Sequence, residues 1–179
     1  AIGGRGPSSW PSIVALSGGR DSVALLAAML AVAPRHGHAL TAVHVHHGLS
    51  PNADAWARFC EEFCAARDVP FALWMAGVAR APQQSLEATA RVARYGALAA
   101  TAAARGIAHV ALAHHRADQA ETLVLQLLRG AGPRGLAGMP ASTRDNLGIT
   151  WLRPLLALPR AAIDAYVDAR QLRFVDDES

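Results

Sequence analysis

The stretch Ile13-Val-Ala-Leu-Ser-Gly-Gly-Arg-Asp-Ser22 decides the fold. Four apolar residues run straight into two glycines, and an apolar segment of helical length follows from Val23 to Ala33. That order is strand, hinged loop, helix. Adjacent glycines let the backbone turn sharply, so successive N–H groups can face one anion, and the helix adds its positive N-terminal end. Ser17 and Ser22 supply hydroxyls, and Asp21 could reach a cation or orient a ligand. The loop lacks the Gly-Lys-Ser/Thr ending of a Walker A loop and the G-x-G-x-x-G of a dinucleotide fold. A plain Gly-Gly turn is the alternative, and the strand–glycine–helix order favours phosphate binding.

Outward from this stretch, short apolar runs alternate with helix-length segments, as in a parallel α/β sheet. Strands are expected at Ile13–Leu16, Leu40–Val45, Phe71–Trp74, His109–Ala113 and Thr150–Leu152. Helices are expected at Ser22–Ala33, Pro51–Arg67, Ser85–Arg105, Asp118–Arg129 and Pro159–Arg170. The fold class is therefore α/β: a Rossmann-like, doubly wound, mainly parallel five-stranded sheet with helices on both faces. Residues 1–11 read as a flexible lead-in and 12–179 as one domain. Gly130–Gly148 breaks the alternation with six Gly or Pro residues before Asn146 and no period, and reads as a flexible flap near the site.

A chain of 179 residues with 52% apolar residues is large enough for one sizeable core. No apolar run is long and charge-free enough to span a bilayer, and no basic-then-apolar leader opens the chain. The expectation is a cytoplasmic protein without a membrane partner. All 17 basic residues are Arg, and the excess of positive charge lies in residues 80–160. A basic middle suits a polyanion, or is a solvated Arg-rich face. Cys60 and Cys64 share one helix face and read as buried core thiols, with no Cys-x-x-Cys pair for a cluster.

A second polar group, His114-His-Arg-Ala-Asp-Gln-Ala-Glu-Thr122, follows the expected strand His109–Ala113. If that strand neighbours Ile13–Leu16, then Asp21, His114, His115, Asp118 and Glu121 converge at the carboxyl edge of the sheet, where such folds bind ligands. Asp118 and Glu121 equally suit the first turn of a helix through its dipole.

Ser17-Gly-Gly-Arg-Asp-Ser22 resembles the pyrophosphate loop of the ATP pyrophosphatases, whose fold is adenine nucleotide alpha-hydrolase-like. His114–Thr122 is similar to the H-H-x-D-D-Q-A-E-T segment of one branch of them, the tRNA(Ile)-lysidine synthases. Val43-His-Val-His-His-Gly-Leu49, Glu87-Ala-Thr-Ala-Arg91 with Arg94-Tyr95, Leu125–Met139 and Arg153-Pro-Leu-Leu156 resemble further signatures of that branch, in its order. One departure matters: Ala117 stands where the family has the first of two adjacent Asp residues.

The resemblance implies an ATP- and Mg²⁺-dependent ligase. It would join free L-lysine to C2 of the wobble cytidine in the CAU anticodon of an isoleucine tRNA, through an adenylated intermediate. Asp21, Asp118, Arg91 and Glu121 would be catalytic. Ser17, Gly18, Gly19, Arg20, Asp21, Ser22 and His46 would bind ATP. His114, His115, Glu87, Arg94 and Arg129 would bind substrate, and Asp21 and Asp118 would take the metal. Replacing Gly18 with Val should block the ligand and leave the fold largely intact. The chain reads as the family's catalytic domain without the C-terminal segments that help hold tRNA, so it should hold tRNA weakly. The oligomeric state stays open, a homodimer of the full-length protein being one option. A tRNA thiolase of the same superfamily and a non-catalytic nucleotide-binding domain are the alternatives.

Overall fold

The structure, a computed structural model, describes residues 11–48, 50–76, 86–130, 132 and 138–176, without the side chains of 86 and 87. The lead-in up to residue 10 lies outside the described residues. Along the chain the elements are β1 (Ser12–Ala15), α1 (Arg20–His36), β2 (Leu40–His46), α2 (Ala53–Ala65), β3 (Phe71–Met75), α3 (Leu86–Arg105), β4 (His109–Ala111), α4 (Arg116–Leu128), β5 (Ser142–Arg144), β6 (Thr150–Leu152) and α5 (Arg160–Ala169). They form one sheet of six strands in the order β3-β2-β1-β4-β6-β5. Every neighbouring pair is parallel except β5 with β6.

Successive residues of a strand point to opposite faces, and here both faces are covered. Val14, Ala42 and Ala111 join Leu25 and Leu26 of α1, Cys60 and Phe63 of α2 and Ile163 of α5 in one apolar cluster. Ile13, Val43 and Val110 join Leu98 and Ala102 of α3, with Trp151, in the other. The strands therefore read in sequence as short continuous apolar runs. Helix α2 buries Ala53, Ala57, Cys60 and Cys64, a stripe at helical spacing. Burial pushes the Cys60 thiol up to about 12 and the Cys64 thiol up to about 11, as expected of core cysteines. Helix α4 differs, with no buried residue. Among the described residues no helix is long and apolar enough to cross a membrane.

Two elements depart from expectation. The sheet has a sixth strand, because β5 pairs with β6 as a hairpin inside the segment read as a flap. All three β5 residues are exposed, so no apolar alternation marks them. The turn is held by Asp145, whose Oδ1 accepts from the Leu147 and Ile149 N–H groups and whose Oδ2 accepts from Trp151 Nε1. The rest of the expected flap, residues 131 and 133–137, lies outside the described residues. Helix α1 also runs past Pro34 to His36, where Gly37 in the left-handed region (φ 64°) donates back to the Ala33 carbonyl.

Candidate functional site

Strands β1 and β4 are parallel neighbours, and the chain leaves β1 toward β2 on one side and returns to β4 on the other. This switch point opens a crevice beyond their carboxyl ends. The loop after β1 is already curved as an anion nest. Ser22 Oγ accepts from the Ser17 N–H and the Gly18 N–H, both at 3.2 Å, and from Ser17 Oγ at 3.0 Å. It donates to the Gly19 carbonyl at 2.9 Å, while Ser17 Oγ accepts from the Gly19 N–H. Ser22 is buried and organises the loop. No side chain caps α1 at Gly19. Among the described residues the N–H groups of Arg20, Asp21 and Ser22 have no acceptor one turn back, which suits a bound anion.

After β4 the chain enters α4 through His115. Its Nδ1 accepts from the Ala117 N–H at 3.1 Å, while Asp118 Oδ2 accepts from the His115 N–H at 2.6 Å. This reciprocal pair is a capping box. With Nδ1 an acceptor, neutral His115 carries its proton on Nε2, which lies 3.5 Å from Asp21 Oδ2. Asp118 Oδ2 is 3.4 Å from His115 Nδ1, so one imidazole sits between the two carboxylates. Asp21 Oδ1 is buried with no hydrogen-bond partner among the described residues. The Asp21–His115–Asp118 convergence inferred from sequence is present.

Other residues take varied places. His114 is held down to about 4 by burial first, then by Arg91, Arg153 and Arg94, with Asp118 opposing. It is therefore neutral at pH 7 in cationic surroundings. Arg91 lies over the Tyr95 ring at 5.5 Å. Arg94 is exposed on the same helix, and with burial it keeps His47 down to about 4. His46 is buried, its Nε2 2.8 Å from Asp54 Oδ1. His44 Nδ1–H donates to the Leu16 carbonyl at 2.8 Å and so anchors the start of the loop. Glu121 is exposed, and among the described residues no hydrogen bond or ion pair joins it to the Asp21–His115–Asp118 group. Arg129 follows the C-terminal end of α4, roughly 20 Å along the helix from His115, and is not brought to the crevice. The side chain of Glu87 lies outside the described residues.

Two expectations about the loop change. Arg20 Nη1 bonds Asp164 Oδ1 at 2.7 Å, so its side chain is engaged with α5. Gly18 has φ 94°, and a Cβ there would stand 3.0 Å from Val175 Cγ2 and 3.1 Å from Cys60 Sγ. A valine at 18 would thus strain the backbone and press into the protein behind the loop, so the fold would not be left intact. Arg153 was missed as a neighbour of His114. It shows only in three dimensions, where its Nη1 bridges the Pro140 carbonyl and Thr143 Oγ1.

Among the described residues no group of three or more His, Cys, Asp or Glu is placed to hold a metal. The orphaned Asp21 Oδ1 and nearby Asp118 still suit Mg²⁺, which commonly binds through one or two carboxylates plus substrate phosphates.

The fold and loop define a doubly wound domain with a phosphate cradle at its switch point. The sequence profile of the PP-loop domain matches residues 8–179, and the chain belongs to that family. It is 50% identical over 167 residues to a tRNA(Ile)-lysidine synthase of Chromobacterium violaceum, covering 93% of this chain and 38% of that protein. It is 47% identical over 169 residues to one of Xanthomonas campestris, covering 94% and 38%. A synthase of Burkholderia mallei is 47% identical over 176 residues, covering 97% and 35%. The chain thus spans under two fifths of these relatives' length. The U34-tRNA thiolase NcsA of Methanococcus maripaludis shares the fold, with a TM-score of 0.82 at 15% identity over 96% of this chain and 60% of that one.

Proposed function

We propose that this chain is the nucleotide-activating catalytic domain of a cytoplasmic tRNA(Ile)-lysidine synthase. It is supported by the uncapped, pre-curved loop and by a buried Asp21 Oδ1, without a partner among the described residues, across from His115 and Asp118. The choice of substrate rests on relatives named for that activity at 47–50% identity.

In the first step the C2 carbonyl oxygen of the wobble cytidine attacks the α-phosphorus of ATP. An O–P bond forms, the α–β anhydride breaks and pyrophosphate leaves. In the second, the ε-amine of lysine attacks C2, AMP leaves with the former carbonyl oxygen, and the amine loses a proton. The N–H groups at the start of α1 hold the departing pyrophosphate, where fixed donors act on developing charge. Bound Mg²⁺ would neutralise phosphate charge, and Asp21 and Asp118 are the carboxylates that would hold it. Asp118 orients His115 through the capping box, and His115 Nε2–H in turn faces Asp21. Arg91, Arg94 and Arg153 make the surroundings of His114 cationic and suit RNA phosphates. A splayed anticodon base can enter such a crevice at modest cost. Neither cysteine of this chain supports thiolation, since both thiols stay protonated at neutral pH.

The test is mass spectrometry of nucleosides from an isoleucine tRNA with a CAU anticodon, incubated with the full-length protein, ATP and lysine. Lysidine should replace the wobble cytidine, and only when both small substrates are present. An unmodified cytidine under all conditions would refute the assignment.

A further inference from the structure

Arg20 lies in the middle of the phosphate loop, where a cation would ordinarily be taken as a phosphate ligand. Its side chain is used otherwise. Nη1 bonds Asp164 Oδ1 of α5 at 2.7 Å, and the guanidinium stacks 4.6 Å from the centre of the Phe174 ring. The neighbouring Val175 N–H donates to the Gly18 carbonyl at 3.0 Å. The slot behind Gly18 is filled by Val175, Cys60 and Phe59.

In a trans peptide the carbonyl and the following N–H point in opposite directions. Tying the Gly18 carbonyl backward to Val175 therefore aims the Gly19 N–H forward, and there it meets Ser17 Oγ. The segment that carries Phe174 and Val175 is in turn fixed by Arg20. Leu172 and Phe174 pack on the core cluster shared by α1, α2 and α5. One strap, some 150 residues away in sequence, thus fixes the turn at Gly18–Gly19 from which the open N–H groups of α1 follow.

We propose that Arg20 is a positioning residue which, with Asp164, Phe174 and Val175, holds the Ser17–Ser22 loop from behind in the curvature that receives the triphosphate. This rests on the loop being the ATP site. A strap that orders the loop before binding spares the ligand that cost, so loosening it weakens binding more than it slows chemistry.

The decisive variants are Asp164→Asn, Arg20→Met and the double variant, in the full-length protein. Each is titrated with Mg-ATP by calorimetry and followed for pyrophosphate release. Asp164→Asn removes a negative charge near an anion site, so electrostatics alone would tighten ATP binding. The strap makes the opposite prediction. Affinity should fall about threefold, with KM for ATP rising in parallel and kcat nearly unchanged, the size expected of a partly exposed pair. The double variant should bind no more weakly than the weaker single one. Amide exchange at Gly19 should quicken in the nucleotide-free variants. Asp164→Asn binding ATP as tightly as the parent, or more tightly, while Arg20→Met loses affinity would make Arg20 a direct ligand and overturn the proposal alone. A parent protein that does not bind Mg-ATP would overturn both the proposal and the nucleotide reading beneath it.

Discussion

Two helices begin side by side at the carboxyl edge of the sheet, and they begin differently. The first turn of helix α4 is already closed, with His115 accepting from Ala117, Asp118 accepting from His115 and the Leu158 carbonyl accepting from Arg116. Helix α1 starts at Gly19 without a side-chain cap. Its loop is kept in shape by Ser22 within and by Val175 and Asp164 from afar. A helix start whose donors are already satisfied is a platform for side chains, whereas one left open can receive an anion. The contrast fits the proposed reading, in which α1 receives the phosphates while α4 orients His115 and Asp118.

The largest expected effect tests the open side. Asp21→Ala should lower the rate of adenylate formation about 100-fold or more, because it removes charge control at the developing pyrophosphate. ATP affinity should fall less, as measured by calorimetry beside single-turnover pyrophosphate release. Affinity lost in proportion to rate would make Asp21 an ordinary binding group and blur the division between the helices.

Acid stability comes next. His114 and His47 drop from 6.5 to about 4, each chiefly through burial. The unfolded chain then binds more protons between those values, so stability rises with pH through that window and is lost as pH falls from 6.5 toward 4. For His114 the full effect is roughly 3 kcal/mol. Urea melts of His114→Gln against the parent from pH 7 to pH 4 should show the parent losing more. Parallel curves would place His114 in contact with water.

Gly18→Ala should cost about 1–3 kcal/mol of stability, from the left-handed backbone and the crowded slot behind it. A neutral result in the same melts would mean that the strap yields easily. The smallest effect belongs to the closed helix. Asp118→Ala should lose about 1 kcal/mol through the cap, and Asp118→Asn, which keeps an acceptor oxygen, should stay near the parent. Equal losses would show that charge at the helix end matters more than the bond.

The same division explains what could be read in the sequence. The phosphate loop, the α4 entry and the parallel core were legible because each is written in neighbouring residues: two glycines, an i, i+3 pair, short apolar runs. The convergence of Asp21 with His115 followed once β1 and β4 were taken as neighbours. Strand β5 was hidden because Ser142, Thr143 and Arg144 are all exposed and owe their place to Asp145 and β6. The place of the Arg20 side chain was hidden because its partners, Asp164 and Phe174, are distant in sequence and carry no local sign of the contact. Arg129 belongs to a motif whose first residues, Leu125–Leu128, lie at the C-terminal end of α4, away from the crevice.

Activation at the Ser17–Ser22 loop is tested by incubating the full-length protein with the isoleucine tRNA and ATP labelled at the α-phosphate, with lysine left out. Label should become attached to the tRNA as pyrophosphate is released, and added lysine should then discharge labelled AMP. Label that never reaches the tRNA, or reaches it only when lysine is present from the start, would contradict activation at this loop as the first step.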